Sequence, residues 1–474
     1  MDRRTVLHSA AAAVAVAGVA SACEPLGSRS DSASTSAGRR SAAGENASPP
    51  DDAATTAAPG NATDTDTENE TDTDTAGSPL VVRSGAGPYG PLGAVDANGV
   101  ALPAGFTSRV LAHARFLVGT TDYVWPEAPA GGGCLPGASG GWTYIATSAQ
   151  FLRGGVSVIR MRADGSIASA GRILKGTTAV HTGGATPWGT WLAGESGLFL
   201  GQVRETYPDG SRAAAARPAL GRFSHASASY DADHGVIYLA EDHADGGLYR
   251  FRPDRAGDLA AGRLEILAAD ADAGTDRVRW AAVTDPDGFP RSTRRQVRDA
   301  RRFASAADCR YLDGTCYVST SDDDRIWAVR LSAGAGGGPF DPAAISSQAV
   351  RGETVGAGPA DGGRLDGGRV ELLFSAAQTA AGQPAASGLG QLAVAGSGEL
   401  FVAARRPSAT LLVISAAGEV APFLRLPEHR HSEITGPAFS PDGTRLYFSS
   451  RRGSTGRDRA GVTFEVTGPF KTIS

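Results

Sequence analysis

Residues 231–254 read DADHGVIYLAEDHADGGLYRFRPD. An Asp/Gly turn leads into the apolar run Val236–Ala240, a second polar turn follows, and Leu248–Phe251 makes another apolar-aromatic run. Runs this short, rich in β-branched and aromatic side chains and bounded by Gly and Asp, are strands of a hairpin and not turns of an amphipathic helix. The pattern returns as GGWTYIAT with GVSVIRMRADGSI in 140–167, as GTWLAGESGLFLGQVRETYPDGS in 189–211 and as CRYLDGTCYVSTSDDDRIWAVRLS in 309–332. Two further copies occupy 392–420 and 438–466. Six imperfect units at uneven spacing predict an all-β chain folded as a six-bladed β-propeller, each unit one blade that cannot bury its faces alone. Insertions near 255–300 and 331–385 leave room for a seventh blade. A sandwich or several small β domains are the alternatives, but no linker-like composition interrupts 84–470. The stretch GFPRSTRRQVRDARRFASA, 288–306, is the best helix candidate.

The chain has 474 residues, is 41% hydrophobic and carries a formal charge of −5. No Lys/Arg stripe stands out, so nucleic acid is not an expected partner. The acidity is local: eleven acids against three arginines fall between Glu24 and Pro79. That segment, including TDTDTENETDTDT, has almost no large apolar side chain and reads as a disordered Ala/Ser/Thr/Asp-rich linker over 24–79. Before it, Arg3-Arg4 precede a weakly apolar run from Ser9 to Ala22, too short to span a bilayer. Residues 1–23 thus read as a twin-arginine export signal ending in a lipobox-like Ala20-Ser21-Ala22-Cys23. Cys23 is the expected lipidation site, with plain cleavage after Ala22 as the alternative. An anchored, extracytoplasmic monomer on the outer face of the cell membrane follows, touching the membrane only through that lipid.

In a propeller the first strand of each blade lines a central funnel, and the loops at one end form the usual site. The polar residues that follow apolar strands are therefore the candidates. Glu195 follows GTWLAG, Glu241-Asp242 follow VIYLA, and Asp322-Asp323-Asp324-Arg325 follow CYVSTS. In the fifth and sixth units the same place is taken by Arg405-Arg406 and Arg451-Arg452. Cys309 and Cys316 flank the turn dipeptide Asp313-Gly314 and could be joined as a disulfide in an oxidising compartment, leaving Cys134 unpaired. There is no phosphate-cradling P-loop and no Gly-x-Ser-x-Gly elbow.

Five blocks carry a family resemblance: GPYGPLGAVDANGVALPAGFTSRVLA, TPWGTWL, RPALGRFSHA, YLAED…GLYRFRP and SEITGPAFSPDGTRLYFSSRRG. They resemble the PhoX-type bacterial alkaline phosphatases, in particular the actinobacterial branch, over about residues 84–470. The resemblance implies a six-bladed propeller, twin-arginine export, and a phosphomonoesterase site of iron and calcium held by carboxylates and one cysteine. Hard cations held by clustered carboxylates neutralise phosphate and orient an attacking oxygen. Matched position by position, His181 stands where that family has its cysteine ligand, and Gly194-Glu195-Ser196 keeps one acid of a Cys-Glu-Glu run. Expected acids fall on Ala226, Ala307, Gly390-Gln391, Ala404-Arg405 and Ala149. Glu241, Asp242 and Glu433 remain.

His181, Glu195, Glu241 and Asp242 are thus candidate metal ligands, for calcium or iron if the family's site is partly retained. His181 reads equally as a hydrogen-bonded loop residue, and Glu195 and Glu241 as acids neutralised by arginines. Asp322, Asp323 and Asp324 are a candidate calcium loop or a solvated turn. Arg325, Arg405 and Arg451 are candidates for holding a small anionic or phosphorylated ligand. The expectation is an extracytoplasmic binding or interaction module built on a degraded metal site. The alternative is a working metal-dependent phosphoesterase with a reduced site on His181, Glu195 and Glu241. A calcium-dependent lactonase-like enzyme rests on fold analogy alone.

Overall fold

A computed structural model describes residues 83–85, 87–196, 201–270, 276–331, 367–376 and 386–471. The export signal, Cys23, the linker 24–79 and most of the insertion 331–385 lie outside the described residues. Among those residues the chain is all-β, with only short 3-10 turns besides strands, and no helix is long and apolar enough to cross a membrane.

The strands run in chain order as β1 (Arg83–Ser84), β2 (Leu92–Val95), β3 (Ala101–Pro103) and β4 (Thr107–His113), followed by a series of antiparallel meanders. The first meander is β5 (Pro129–Pro136), β6 (Trp142–Ser148), β7 (Gly154–Met161) and β8 (Ile167–Thr177). The second is β9 (Ala179–Ala185), β10 (Trp191–Ser196), β11 (Val203–Thr206) and β12 (Ala215–Ala216). Next come β13 (His225–Asp231), β14 (Val236–Glu241), β15 (Leu248–Pro253) and β16 (Gly262–Ala269), then β17 (Arg277–Ala282). They are followed by β18 (Ala306–Leu312), β19 (Thr315–Thr320), β20 (Arg325–Leu331) and β21 (Gly367–Ser375). The last sets are β22 (Ser387–Val394), β23 (Leu400–Arg406), β24 (Ala409–Ile414) and β25 (Glu419–Leu426), and β26 (Ile434–Phe439), β27 (Arg445–Ser450) and β28 (Val462–Thr467).

Hydrogen bonding divides these strands into five sheets. The third and fourth repeats are fused, because β17 pairs with β16 on one side and β21 on the other. The insertion near 255–300 has become a strand bridging two meanders. The arrangement is propeller-like: β5, β9, β13, β18, β22 and β26 touch their neighbours in a closed cycle, β26 returning to β5. Closure is sealed by β4, which lies ahead of the first meander but pairs with β28, from Thr107↔Thr467 to Val462↔His113.

Aromatic side chains fill the wedges between sheets. Phe106, Phe401, Phe423 and Phe470 meet around Tyr89, largely edge-to-face. Two buried indoles find acceptors: Trp125 Nε1 donates to Thr463 Oγ1 (2.9 Å) and Trp142 Nε1 to the Tyr447 hydroxyl (3.0 Å). In HTGGATPWGTWLAGES, residues 181–196, both tryptophans belong to this frame. Trp191 is buried against Gly133, where an added Cβ would lie 2.2 Å from its ring. Trp188 donates to Glu205 (2.9 Å) and meets Tyr230 edge-on.

Two local expectations are corrected. Residues 288–306 hold no helix beyond the 3-10 turn Thr293–Arg295. Their apolar residues at three-residue spacing serve sheets instead: Ala300 bridges to Ala268 and the buried Phe303 to Gly246. Cys309 and Cys316 are buried free thiols, not a disulfide. The hairpin register sets Cys309 opposite Val318 and Cys316 opposite Tyr311, so the two cysteines sit diagonally and not as a facing pair.

Candidate functional site

The first strand of every repeat sends its leading residues to one end of the ring, where they enclose a cavity of about 160 Å³. Ala130 comes from β5, His181 from β9, Ala226 from β13, Ala307 from β18, Gly388 to Gln391 from β22, and Ile434 and Thr435 from β26. Residues at the ends of second strands complete it: Asp242 after β14, Ser321 after β19, Arg405 on β23 and Arg451 after β27. Most positions at which the family resemblance expects a metal ligand therefore converge here, and most now carry Ala, Gly or Gln. Deeper in the ring the axis is crossed by Arg310 of β18, whose guanidinium reaches Gly183 O of β9 (3.0 Å) and Leu392 O of β22 (3.3 Å). Its countercharge is the fully buried Asp308 (3.1 Å), which also accepts from Leu392 N (2.9 Å). Sequence reading did not single out Arg310, because only the ring geometry aims it inward.

The cavity's charge centres on Glu433. Its Oε1 accepts from Arg451 Nη1 (3.0 Å), and its Oε2 accepts from Arg405 Nε (3.1 Å) and Nη2. Burial alone would push this carboxyl up, but Arg451 and Arg405 together hold it below the ordinary range. His181 is driven the other way: burial first, then Arg451, lower its pKa to about 4 against the pull of Glu433. It is a neutral imidazole at pH 7. Its backbone carbonyl is fixed by Thr147 Oγ1 and Gln391 Nε2, both at 3.0 Å, while Gln391 Oε1 accepts from Gly436 N. Asp242 is raised, first by burial and then by Asp322 nearby.

The other candidates are not brought to this cavity. Glu195 is buried and faces Arg204 (3.4 Å). Glu241, adjacent to Asp242, points away, accepting from Arg294 Nη1 (2.8 Å), the Tyr249 hydroxyl (2.8 Å) and Gly247 N (3.2 Å). Of His181, Glu195, Glu241 and Asp242, only His181 and Asp242 share the cavity. The three aspartates of 322–324 splay apart instead of forming one chelating loop. Asp322 accepts from Ser305 (2.7 Å), Asp323 from Arg325 (3.2 Å), and Asp324 from Leu389 N (3.0 Å). Arg325 leans over Trp327 (5.5 Å) and is not part of the cavity. Arg405 and Arg451 do converge, on the same carboxylate.

A calcium or iron centre needs several converging oxygen or sulfur donors. Among the described residues no three His, Cys, Asp or Glu side chains are placed to share an ion. The donors that line the cavity do not fit such a centre, since Glu433 is already neutralised by two arginines.

Residues 203–311 match the family model described as alkaline phosphatase PhoX. Over those residues the chain is similar to the PhoX alkaline phosphatase family. Its fold is that of Pseudomonas fluorescens PhoX, solved in complex with vanadate, a transition state analogue. The two are 16% identical, with a TM-score of 0.56 over 82% of this chain and 98% of that one. A structural-genomics protein of unknown function from Bacteroides thetaiotaomicron is 9% identical, with a TM-score of 0.45 over 76% of each chain. A gluconolactonase from Xanthomonas campestris is 14% identical, with a TM-score of 0.43 over 81% of this chain and 99% of its own. No curated protein matches the sequence.

Proposed function

We propose that this chain is an exported, lipid-anchored PhoX-type protein whose funnel binds a small anionic or phosphorylated ligand, without the multinuclear metal centre that the family resemblance implies. We count its blades as six: the closed cycle of first strands supports that number, with the nine-stranded sheet read as two blades joined by β17. The export signal at 1–23 and Cys23 support an extracytoplasmic, anchored location.

One observation carries the ligand assignment. Glu433 sits in the cavity as a carboxylate already gripped by two guanidinium groups. A pair of arginines that holds one oxyanion of the chain presents the geometry for another. Arg451 is seated, with 16% of its side chain exposed, while Arg405 is 57% exposed and free to turn toward an incoming oxyanion. His181, neutral at pH 7, supplies a hydrogen bond and no charge. The small lining residues Ala226 and Ala307 leave space where ligating side chains would stand. The vanadate of the Pseudomonas fluorescens relative is an oxyanion of the same class.

The test uses full-length protein purified after export. Metal content, turnover of an aryl phosphate, and binding of orthophosphate and vanadate are measured on the same preparation. The expected result is no stoichiometric iron or calcium, no turnover, and oxyanion binding weakened about tenfold or more in Arg451→Ala. Stoichiometric metal, with turnover abolished in Glu195→Ala, would establish the phosphoesterase with a reduced site instead. Mass analysis of the N-terminal peptide checks the lipid on Cys23 separately.

A further inference from the structure

A second cavity lies outside the funnel. It is a groove of about 800 Å³ beside Val110 and His113 of β4, the outer strand of the last sheet, where they meet the loop 454–461. Its charged lining has one sign. Arg115, Arg457 and Arg459 face it with His113 and His429, and no Asp or Glu lines it. This is not a consequence of overall charge, because the whole chain carries −5.

The acid nearest Arg457 and Arg459 in sequence is directed elsewhere. Asp458 lies between Arg457 and Arg459 in sequence, yet its carboxylate faces Arg452 (3.4 Å). Glu127 pairs with Arg115 (3.6 Å) from outside the lining. Arg457 and Arg459 are both exposed, on either side of the start of the 3-10 turn Asp458–Ala460. Arg115 adopts φ +70, a left-handed conformation that costs a non-glycine residue energy and is kept where surrounding structure demands it. The next residue, Phe116, is 68% exposed at the groove's edge.

We propose that this groove binds an extended polyanion carrying repeated phosphate groups. A cavity of about 800 Å³ is far larger than one small anion, which would engage its cations through one or two contacts only. A chain of linked phosphates meets them all, and each further contact is made within one complex. Arginine forks suit phosphate oxygens, and a lining without carboxylates imposes no repulsion along the path. The proposal does not depend on what occupies the funnel.

Full-length protein is titrated with inorganic polyphosphate, orthophosphate and polyglutamate at two salt concentrations. Polyphosphate is expected to bind about tenfold or more tighter than orthophosphate, with steep weakening in salt. The double variant Arg457→Glu/Arg459→Glu should lose about tenfold or more of the polyphosphate affinity while orthophosphate binding and the melting temperature stay unchanged. Polyphosphate binding no tighter than orthophosphate, or undiminished in the double variant, overturns the proposal. If Arg451→Ala removes polyphosphate binding instead, the polymer lies in the funnel, and the funnel reading survives while the groove assignment falls. Equal affinity for polyglutamate means that the groove senses charge alone, and the phosphate assignment is then wrong.

Discussion

At the scale of single residues, Glu433 decides what the funnel can hold. As a partly buried carboxylate between two guanidinium groups it is itself the bound anion of the resting protein. Glu433→Gln removes that internal competitor and leaves Arg405 and Arg451 without their shared countercharge. Two effects with opposite signs follow. Orthophosphate affinity should rise about tenfold, because the arginines no longer have a carboxylate to release. Stability should fall, since uncompensated charges remain in a partly buried site. Isothermal titration and thermal melting of the same sample separate the two. A variant that binds orthophosphate more weakly would mean that Glu433 contacts the ligand and does not compete with it. The sequence showed Arg405, Arg451 and Glu433 as separate polar residues after strands. Their meeting depends on how two neighbouring blades face each other, which no local pattern encodes.

At the scale of elements, the innermost strands approach each other closely only because glycines allow it. A Cβ on Gly184 of β9 would lie 2.1 Å from the carbonyl oxygen of Ala228 on β13, and one on Gly132 of β5 2.4 Å from Gly436 O on β26. Gly184→Ala must push two strands of the closed ring apart, at a cost of about 1–3 kcal/mol. For a chain of this size that lowers the melting temperature by roughly 2–4 °C per kcal/mol. Gly171→Ala on β8, where no atom lies within 4 Å of the added carbon, is the control and should melt as the parent does. Equal melting of both variants would show that the ring relaxes without strain. The strands themselves were legible as apolar runs between Asp/Gly turns, since that pattern is local. The segment 288–306 misled for the same reason: Val297, Ala300 and Phe303 have helical spacing, but their partners are strands some 30 to 60 residues earlier. The sheet bridges formed by Ala300 and Phe303 override the local preference.

At the scale of the whole molecule, buried histidines tie stability to acidity. His225 lies fully buried beneath Phe223, its ring 3.8 Å from that ring. Its Nε2 is 3.1 Å from the Gly221 carbonyl, an atom that can only accept, so Nε2 carries the proton. Nδ1 is buried without a partner, and a second proton there would have no acceptor. Burial accordingly lowers the pKa to about 4, partly opposed by the Gly221 carbonyl. An unfolded histidine titrates near 6.5. Between these values the unfolded chain takes up a proton that the fold refuses, so stability falls as pH drops through 6.5 and goes on falling to about 4. His181, also lowered to about 4, acts with the same sign. Asp242, Glu241 and Asp308 are raised by burial and act with the opposite sign, favouring the fold on the acid side of their titration. The histidine contribution is separable because its window opens near 6.5, above the ordinary carboxylate range. Denaturant unfolding of the parent should lose stability from pH 7 to pH 5. In His225→Phe, which keeps an aromatic ring on Phe223 and removes the titrating group, the slope between pH 6 and 5 should shrink by about 1 kcal/mol per pH unit. An unchanged slope would show that His225 takes up its proton as readily in the fold as in the open chain, and that the ring admits water to it.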